Sequence, residues 1–263
     1  MVSYEIIGSR GKAVAIIDMR GKSIEEAKKQ AKEILARHKS VKTVLGKISP
    51  REGVTRVRRY IILCGERDTT VIHREYGYRL ALDPTKVYFS AREGEERRRI
   101  ASKVMPGEKV LVMFAGVGPY CIAIAKKQPE VNLVVGVEIN PDAFEFFTEN
   151  IRLNKMQNKV LALLGDVRDV CIKFFDQFDR VVMPLPLEGE NFLELAVKCI
   201  NSRGYIHYYS WGGEEHPFKK AISEIENESL KGKFRYEIVE RRMVSQYAPR
   251  VWKVRLDIYI ERE

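Results

Sequence analysis

Three sets of residues, each falling where an apolar run ends, are suited to holding a nucleoside. The first is the turn Phe114-Ala-Gly-Val-Gly-Pro119. Gly116 and Gly118 let the backbone approach a ligand closely at the C-terminal end of a strand, where open α/β sheets take their ligands. The second is Glu138, 22 residues beyond Gly116 at the end of the next apolar run, where a carboxylate accepts both hydroxyls of a ribose. The third is Asp166 in Leu164-Gly-Asp-Val-Arg168, placed to accept from an adenine amino group. Each acid taken alone is more often a helix cap or a solvated charge; together, at three successive strand ends, they are much harder to assign to capping. No Lys or basic cluster follows the glycines to meet a pyrophosphate, and Pro119 stands where a phosphate loop would present a backbone donor. The expected ligand is therefore an adenosine without phosphates, S-adenosylmethionine, with S-adenosylhomocysteine as its product. Phe114, Ala115, Val117, Ile139, Val167 and Pro184 are expected to complete its wall.

The elements that must position these residues fall into two regimes. Residues 1–88 read as strand-rich, with alternating or β-branched runs at Ala13–Asp18, Val57–Leu63, Thr69–Glu75 and Tyr78–Leu82. One helix interrupts them: Ser23 and Glu26 form a capping box ahead of an apolar stripe of Ala27, Ala31, Ile34 and Leu35. Residues 89–105 read as a basic linker helix. From 106 onward strand and helix alternate, with strands at Lys109–Phe114, Val131–Glu138, Lys159–Leu164, Arg180–Met183 and Tyr205–Tyr209. Helices are expected at Tyr120–Lys127, Pro141–Asn154, about Asn191–Ile200 and His216–Leu230, and two consecutive strands, Phe234–Arg242 and Trp252–Glu261, close the chain. The class is α/β: a Rossmann-like, doubly wound sheet with an antiparallel last strand over 106–263, preceded by a smaller α+β domain over 1–88.

Charge divides along the same line. Residues 1–105 hold 24 Lys+Arg against 13 Asp+Glu, a net of +11, whereas residues 106–263 hold 22 against 23, a net of −1. A basic half ahead of a neutral nucleoside-binding half suits an enzyme acting on a polyanion. The basic face would be built from Arg51, Arg56, Arg58, Arg59, Arg74, Arg79, Arg92 and Arg97–Arg99, arginines suited to bidentate phosphate contact and to stacking on splayed bases. There is no run of about 18 apolar residues that would span a membrane, and no basic-then-apolar leader. Cys64, Cys121, Cys171 and Cys199 are far apart and form no Cys-x-x-Cys pair, so neither a metal site nor a disulfide scaffold is expected. The expectation is a cytoplasmic monomer. His207 and His216 lack ligand spacing and read as structural; Tyr208, Tyr209 and Trp211 read as core or rim packing first and base stacking second.

Longer stretches carry a family resemblance. Thr55-Arg-Val-Arg58, Thr70-Val-Ile-His-Arg-Glu-Tyr-Gly-Tyr-Arg79, Lys86-Val-Tyr-Phe-Ser-Ala-Arg92, Glu96-Arg97, Met113-Phe-Ala-Gly-Val-Gly-Pro119, Asn150-Ile-Arg-Leu-Asn154, Gly165-Asp-Val-Arg168 and Tyr247-Ala-Pro249 resemble the archaeal and eukaryotic tRNA (guanine-N1)-methyltransferases that modify anticodon-loop position 37. The first four lie outside the generic cofactor fold, which makes the match discriminating. The resemblance implies a class I methyltransferase whose N-terminal half orients the anticodon stem-loop of a tRNA. It puts Arg56, Tyr88, Glu96 and Arg97 around the reacting centre. Guanine N1 carries a proton, so Glu96 is the candidate base and Arg56 the stabiliser of charge building on O6. Tyr88 would pack beside the cofactor's methyl and the base, and Arg97 would pair with the methionine carboxylate. Arg58, Arg59 and Arg92 are expected to contact the RNA. The sequence departs from the family at Val112 (Asp), Pro184 (the Asn of Asn-Leu-Pro) and Ala91 (Pro), and residue 1 already aligns with the family's second domain. A sister family on the same scaffold transfers the aminocarboxypropyl group in wybutosine synthesis. Transfer of that group, methylation of a tricyclic guanosine derivative, and an RNA-binding module without turnover remain as alternatives.

Overall fold

The computed structural model describes residues 4–53, 55–186 and 189–262. Strands β1 (Tyr4–Gly8), β2 (Ala13–Asp18), β3 (Val41–Lys47) and β4 (Tyr60–Gly65) form one sheet in the order β1-β2-β3-β4. β2 and β3 are parallel, and helix α1 (Ile24–Arg37) makes the crossover. The capping box starts that helix: the Glu26 amide donates to Ser23 Oγ at 3.2 Å and the Ser23 amide donates to Glu26 Oε2 at 2.7 Å. Ala27, Ala31 and Ile34 are buried beneath it, as the stripe required. β1 and β3 are strands the alternation did not single out, and β4 starts at Tyr60 rather than Val57. Glu52 is instead bridged to Val57, and Arg56 lies in the left-handed region at φ 54°.

A hairpin of β5 (Val71–Glu75) and β6 (Tyr78–Leu82) follows, turning through Tyr76 and Gly77, both at positive φ. It docks on the second half of the molecule through two asparagines of α4 (Pro141–Leu153) and its C-cap. Asn150 Oδ1 accepts from the Ala81 amide at 2.6 Å, and Asn154 Oδ1 from the Arg79 amide at 2.9 Å. The expected linker helix is shorter than the basic run that suggested it. A single 3-10 turn, Ala91–Glu93, leads into α2 (Gly94–Ala101).

The remaining strands, β7 (Lys109–Met113), β8 (Leu133–Glu138), β9 (Val160–Leu164), β10 (Phe178–Met183), β11 (Ile200–Gly213), β12 (Phe234–Ala248) and β13 (Val251–Arg262), form one sheet ordered β12-β13-β11-β10-β7-β8-β9. β11, β10, β7, β8 and β9 are parallel, and β13 enters antiparallel between β11 and β12. Besides α4, helices α3 (Pro119–Lys127), α5 (Val167–Val170), α6 (Leu193–Cys199) and α7 (Lys219–Gly232) make the connections. The order reverses at β7, so the turn after that strand lies at the switch point where such sheets bind ligands. The last three strands outrun their expected lengths, because β11 and β13 pair continuously from Arg203–Glu261 to Gly213–Val251. One hydrophobic cluster runs from Ile7, Leu45 and Leu82 of the first half to Val110, Tyr120 and Phe147 of the second. Among the described residues no helix is long and apolar enough to cross a membrane, and no group of three His, Cys, Asp or Glu is placed to hold a metal.

Candidate functional site

The glycine turn is built by three constraints. β7 runs between β8 and β10, so its end is fixed from both sides, and the Ala115 amide extends the ladder by donating to Val137 O at 2.8 Å. Phe114 then takes φ 56°, a strained conformation for a residue with a side chain, and rests edge-on against the Phe192 ring, centroids 4.9 Å apart. Gly118, at φ 79°, caps α3; a Cβ there would stand 2.0 Å from the Phe147 ring, so only glycine allows this approach. Ala115 and Val117 are buried, and Val117 O accepts from Asn150 Nδ2 at 2.9 Å.

Glu138 closes the turn. Its Oε2 accepts from the Gly116 amide at 2.6 Å and its Oε1 from the Asn140 amide at 2.8 Å, with Ile139 between them. The carboxylate is 8% exposed and has no cation within salt-bridge range among the described residues. Burial pushes its pKa up, against the pull of the backbone amides of Asn140, Gly116 and Ile139. A buried carboxylate without a counter-ion, at the end of β8, is suited to neutral hydroxyl donors such as a ribose diol. Asp166 is the N-cap of α5, accepting from the Arg168 amide at 2.8 Å, and its carboxylate pairs with the exposed Arg168 guanidinium. Val167 is buried behind it, and Pro184 follows the end of β10, half-buried. Val112 lies fully buried inside β7 between Gly136 and Val182.

Glu96 is drawn inward, not laid on an exposed charged face. It is 2% exposed on α2. Tyr209 Oη donates to its Oε1 at 2.8 Å, Arg255 Nη1 donates to the same oxygen, and Arg99 Nη1 donates to Oε2 at 2.7 Å. Tyr120 Oη, in the first turn of α3, donates to Tyr209 Oη at 3.2 Å, so a hydroxyl pair links Glu96 to the helix that opens at the glycine turn. Behind Glu96 the charges continue. Arg255, fully buried, contacts Asp257 and donates to Glu240 Oε1 at 2.9 Å; Asp257 Oδ1 lies 2.6 Å from His207 Nδ1, and Arg180 Nη1 lies 2.9 Å from His207 Nε2. Burial pushes the His207 pKa down, opposed by Asp257, consistent with a structural imidazole.

Arg97 has a different role from the one the resemblance implies. Its Nε donates to Glu75 Oε2 at 3.0 Å, its Nη2 to Glu75 Oε1 and to Ser90 O, and its guanidinium lies 5.0 Å from the Phe89 ring centroid. This 2%-exposed arginine fastens α2 to the β5–β6 hairpin and is not open to a ligand carboxylate. A bidentate partner already satisfies its fork.

The segment between the hairpin and α2 brings the two halves of the candidate site together. Asn140 Nδ2 donates to Lys86 O at 3.2 Å, and Tyr88 O lies 3.9 Å from where a Gly116 Cβ would stand. Tyr88 is 39% exposed, and Arg51 stacks 4.1 Å from its ring centroid. Desolvation of the hydroxyl, reinforced by Glu93 and opposed by Arg51, pushes its pKa up to about 12. Arg56, Arg58 and Tyr88 share one cleft. Arg59 turns outward to Glu52 at 3.2 Å, and Arg92 is exposed. Trp211 packs against Tyr247, centroids 4.4 Å apart, at the far end of the β12–β13 hairpin. Arg255 is the partner of Glu96 that the sequence reading missed, and Tyr209, read there as packing first, also holds the carboxylate. A single arginine inside the apolar run Val254-Arg255-Leu256 was the available signal for a buried ion pair.

Comparison with known proteins agrees with this frame. The profile of the TRM5/TYW2 methyltransferase domain matches residues 71–239. The tRNA (guanine(37)-N(1))-methyltransferase Trm5b of Pyrococcus abyssi is 41% identical over 258 residues, spanning 98% of this chain and 74% of its own length. The tRNA(Phe) (4-demethylwyosine(37)-C(7)) aminocarboxypropyltransferase of Methanocaldococcus jannaschii is 36% identical over 210 residues, spanning 80% of this chain and 82% of its own. The solved complex of aTrm5 with tRNALeu superposes with a TM-score of 0.86 at 36% identity, over 98% of this chain and 72% of that one.

Proposed function

We infer the function of this chain from its family: it belongs to the TRM5/TYW2 methyltransferases. Within that family it is an S-adenosylmethionine-dependent enzyme that methylates N1 of guanosine 37 in tRNA. The observation that carries the reading is the shared wall at Tyr88. Its backbone packs on the glycine turn while its ring stands in a cleft with Arg56 and Arg58, so a basic RNA-facing surface and a nucleoside turn meet there.

The cofactor residues fit their group. Glu138 would accept the ribose hydroxyls, the Gly116–Gly118 backbone would lie against the methionine part, and Phe114, Ile139, Val167 and Pro184 would flank the adenosine. When bound, S-adenosylmethionine supplies an electrophilic methyl group on a sulfonium. The chain's own residues do the rest. Glu96 takes the N1 proton at Oε2, the oxygen held, among the described residues, by the half-buried Arg99 alone, while Tyr209 and Arg255 fix Oε1. Arg56 stabilises the negative charge that builds on guanine O6. Arg58 and Arg92 hold RNA phosphates, and the target base leaves the loop before reaction. We place the enzyme in the cytoplasm as a monomer, with residues 1–88 orienting the anticodon stem-loop and 106–263 holding the cofactor.

Pro184, in place of the family's asparagine, and the relationship to the aminocarboxypropyltransferase keep transfer of that larger group as the second reading. Incubation with unmodified tRNA transcript and S-adenosylmethionine, followed by digestion and mass spectrometry of the nucleosides, separates the two. 1-Methylguanosine is the expected product, and an aminocarboxypropyl nucleoside would replace the first reading with the second.

A further inference from the structure

We propose that the cleft between the four-stranded sheet and the segment around Tyr88 is a phosphodiester subsite, in which Lys47, Arg51 and Arg58 grip one of the two backbone phosphates flanking the target guanosine. The proposal rests on the reading that the chain acts on RNA, and it adds Lys47 and Arg51 to the residues that reading uses.

The cleft is small, with a cavity volume of about 40 Å³, and it opens to solvent. Lys47, at the end of β3, enters it beside Arg51, Arg56 and Arg58 from the loop that follows. Its one acid among the described residues is Glu5, whose Oε1 already accepts from the Ala91 amide at 3.3 Å. Among the described residues neither Lys47 nor Arg58 has a carboxylate within 4.0 Å, and both are half-buried. Burial pushes the Lys47 pKa down, and Arg58 and Arg92 add to this against the attraction of Glu5 and Asp18. Cations crowded in a partly desolvated cleft repel one another, and a bound dianion or diester relieves both penalties. Tyr60 stands in the same lining with its hydroxyl pKa raised by burial, a neutral donor for a phosphate oxygen.

The cofactor's carboxylate is a poor occupant, because no residue of the 114–118 turn lines the cleft. The wall common to cleft and turn is Tyr88. A nucleotide whose phosphate sits by Lys47 would therefore place its base across Tyr88, toward the turn. Arg51, stacked on the Tyr88 ring, would hold phosphate and platform together.

The test is a double-mutant cycle in RNA binding. Wild type and Lys47→Gln are titrated with an anticodon stem-loop carrying native phosphates, and with two stem-loops bearing a single neutral methylphosphonate on either side of the target guanosine. Lys47→Gln should weaken native RNA about tenfold and lower the salt slope by about 1, with cofactor affinity unchanged. One of the methylphosphonates should cost wild type more than that, because Arg51 and Arg58 lose their anion as well, and should cost the variant less than it costs wild type. Penalties that add at both positions would overturn the subsite, as would a loss confined to cofactor affinity. If wild type makes 1-methylguanosine while the penalties add, only the subsite falls; if wild type fails to bind the stem-loop at all, the RNA reading falls with it.

Discussion

Glu138 and Glu96 are both buried carboxylates, and they are held in opposite ways. Glu138 is held by main-chain amides of its own neighbourhood and has no cation beside it among the described residues. Glu96 is held by two guanidiniums and a tyrosine hydroxyl. The difference matches two kinds of work. A group that accepts hydrogen bonds from a neutral diol needs an electroneutral setting with open lone pairs. A group that must be charged and aimed before it removes a proton needs cations and a fixed orientation, because an unpaired buried charge is costly.

The strongest test of that contrast is Glu96→Gln, which keeps the shape and removes the base. Turnover of unmodified tRNA should fall by about 10²- to 10⁴-fold while S-adenosylmethionine still binds with its wild-type dissociation constant. If Glu138→Gln lowered turnover equally at saturating cofactor, the division of labour would be wrong. Next in size is Arg255→Met. Glu96 would lose one of its buried partners and Glu240 and Asp257 a neighbouring cation, so unfolding free energy should drop by about 3–5 kcal/mol in a denaturant titration. Arg255→Lys, which keeps the charge without the fork, should recover part of it.

How much was legible in the sequence follows the same division. The Glu138 site is local: two glycines, two strands and two helices, all within residues 109–153, put it in place, and the sequence declared each by period and punctuation. Glu96 was located, but its surroundings were not. Tyr209 and Arg255 lie 113 and 159 residues away in sequence, on strands that reach α2 only through the sheet order. Without those contacts, Glu93-Gly-Glu-Glu-Arg-Arg-Arg99 resembles a solvated charged face. Position alone suggests a ligand role for Arg97, whereas a bidentate fork to Glu75 occupies it in the structure. β1 and β3 were missed because each is completed by neighbours. β3 is a fully paired inner strand whose buried run lacks the alternation of a half-exposed one, and β1 is a short edge strand.

A third carboxylate, Glu75, sharpens the comparison in pH. Burial pushes its pKa up, but hydrogen bonds from His73 and Arg97 and the charge of Arg97 outweigh that and hold it down at about 2. A depressed carboxylate stabilises the fold above its unfolded value of 4.5, and that stability is lost as pH falls toward 2. The expected loss is about 3 kcal/mol across that window, measured as the denaturation midpoint against pH. Glu75→Gln should start lower at pH 7 and show a flatter acid limb. An acid limb as steep as that of wild type would mean that other carboxylates carry it.

Glu138 should respond with the opposite sign and a smaller amplitude. Its pKa is raised by burial, so the stability linked to its proton is complete below the unfolded value of 4.5 and is lost as pH rises through the folded value. Glu138→Gln removes that titration. Without cofactor, the variant should therefore gain stability relative to wild type as pH rises above 4.5, because a neutral amide escapes the desolvation penalty that the carboxylate meets there. With cofactor the order should reverse. The amide offers one accepting oxygen to a diol that the carboxylate would meet with two, and affinity for S-adenosylmethionine should fall by about 10- to 100-fold. The two effects are separable in one series of thermal melts with and without ligand. A variant that is destabilised at every pH without ligand, or that binds cofactor as wild type does, would show that Glu138 serves only to close the turn through the Gly116 and Asn140 amides, and the contrast with Glu96 would lose its functional half.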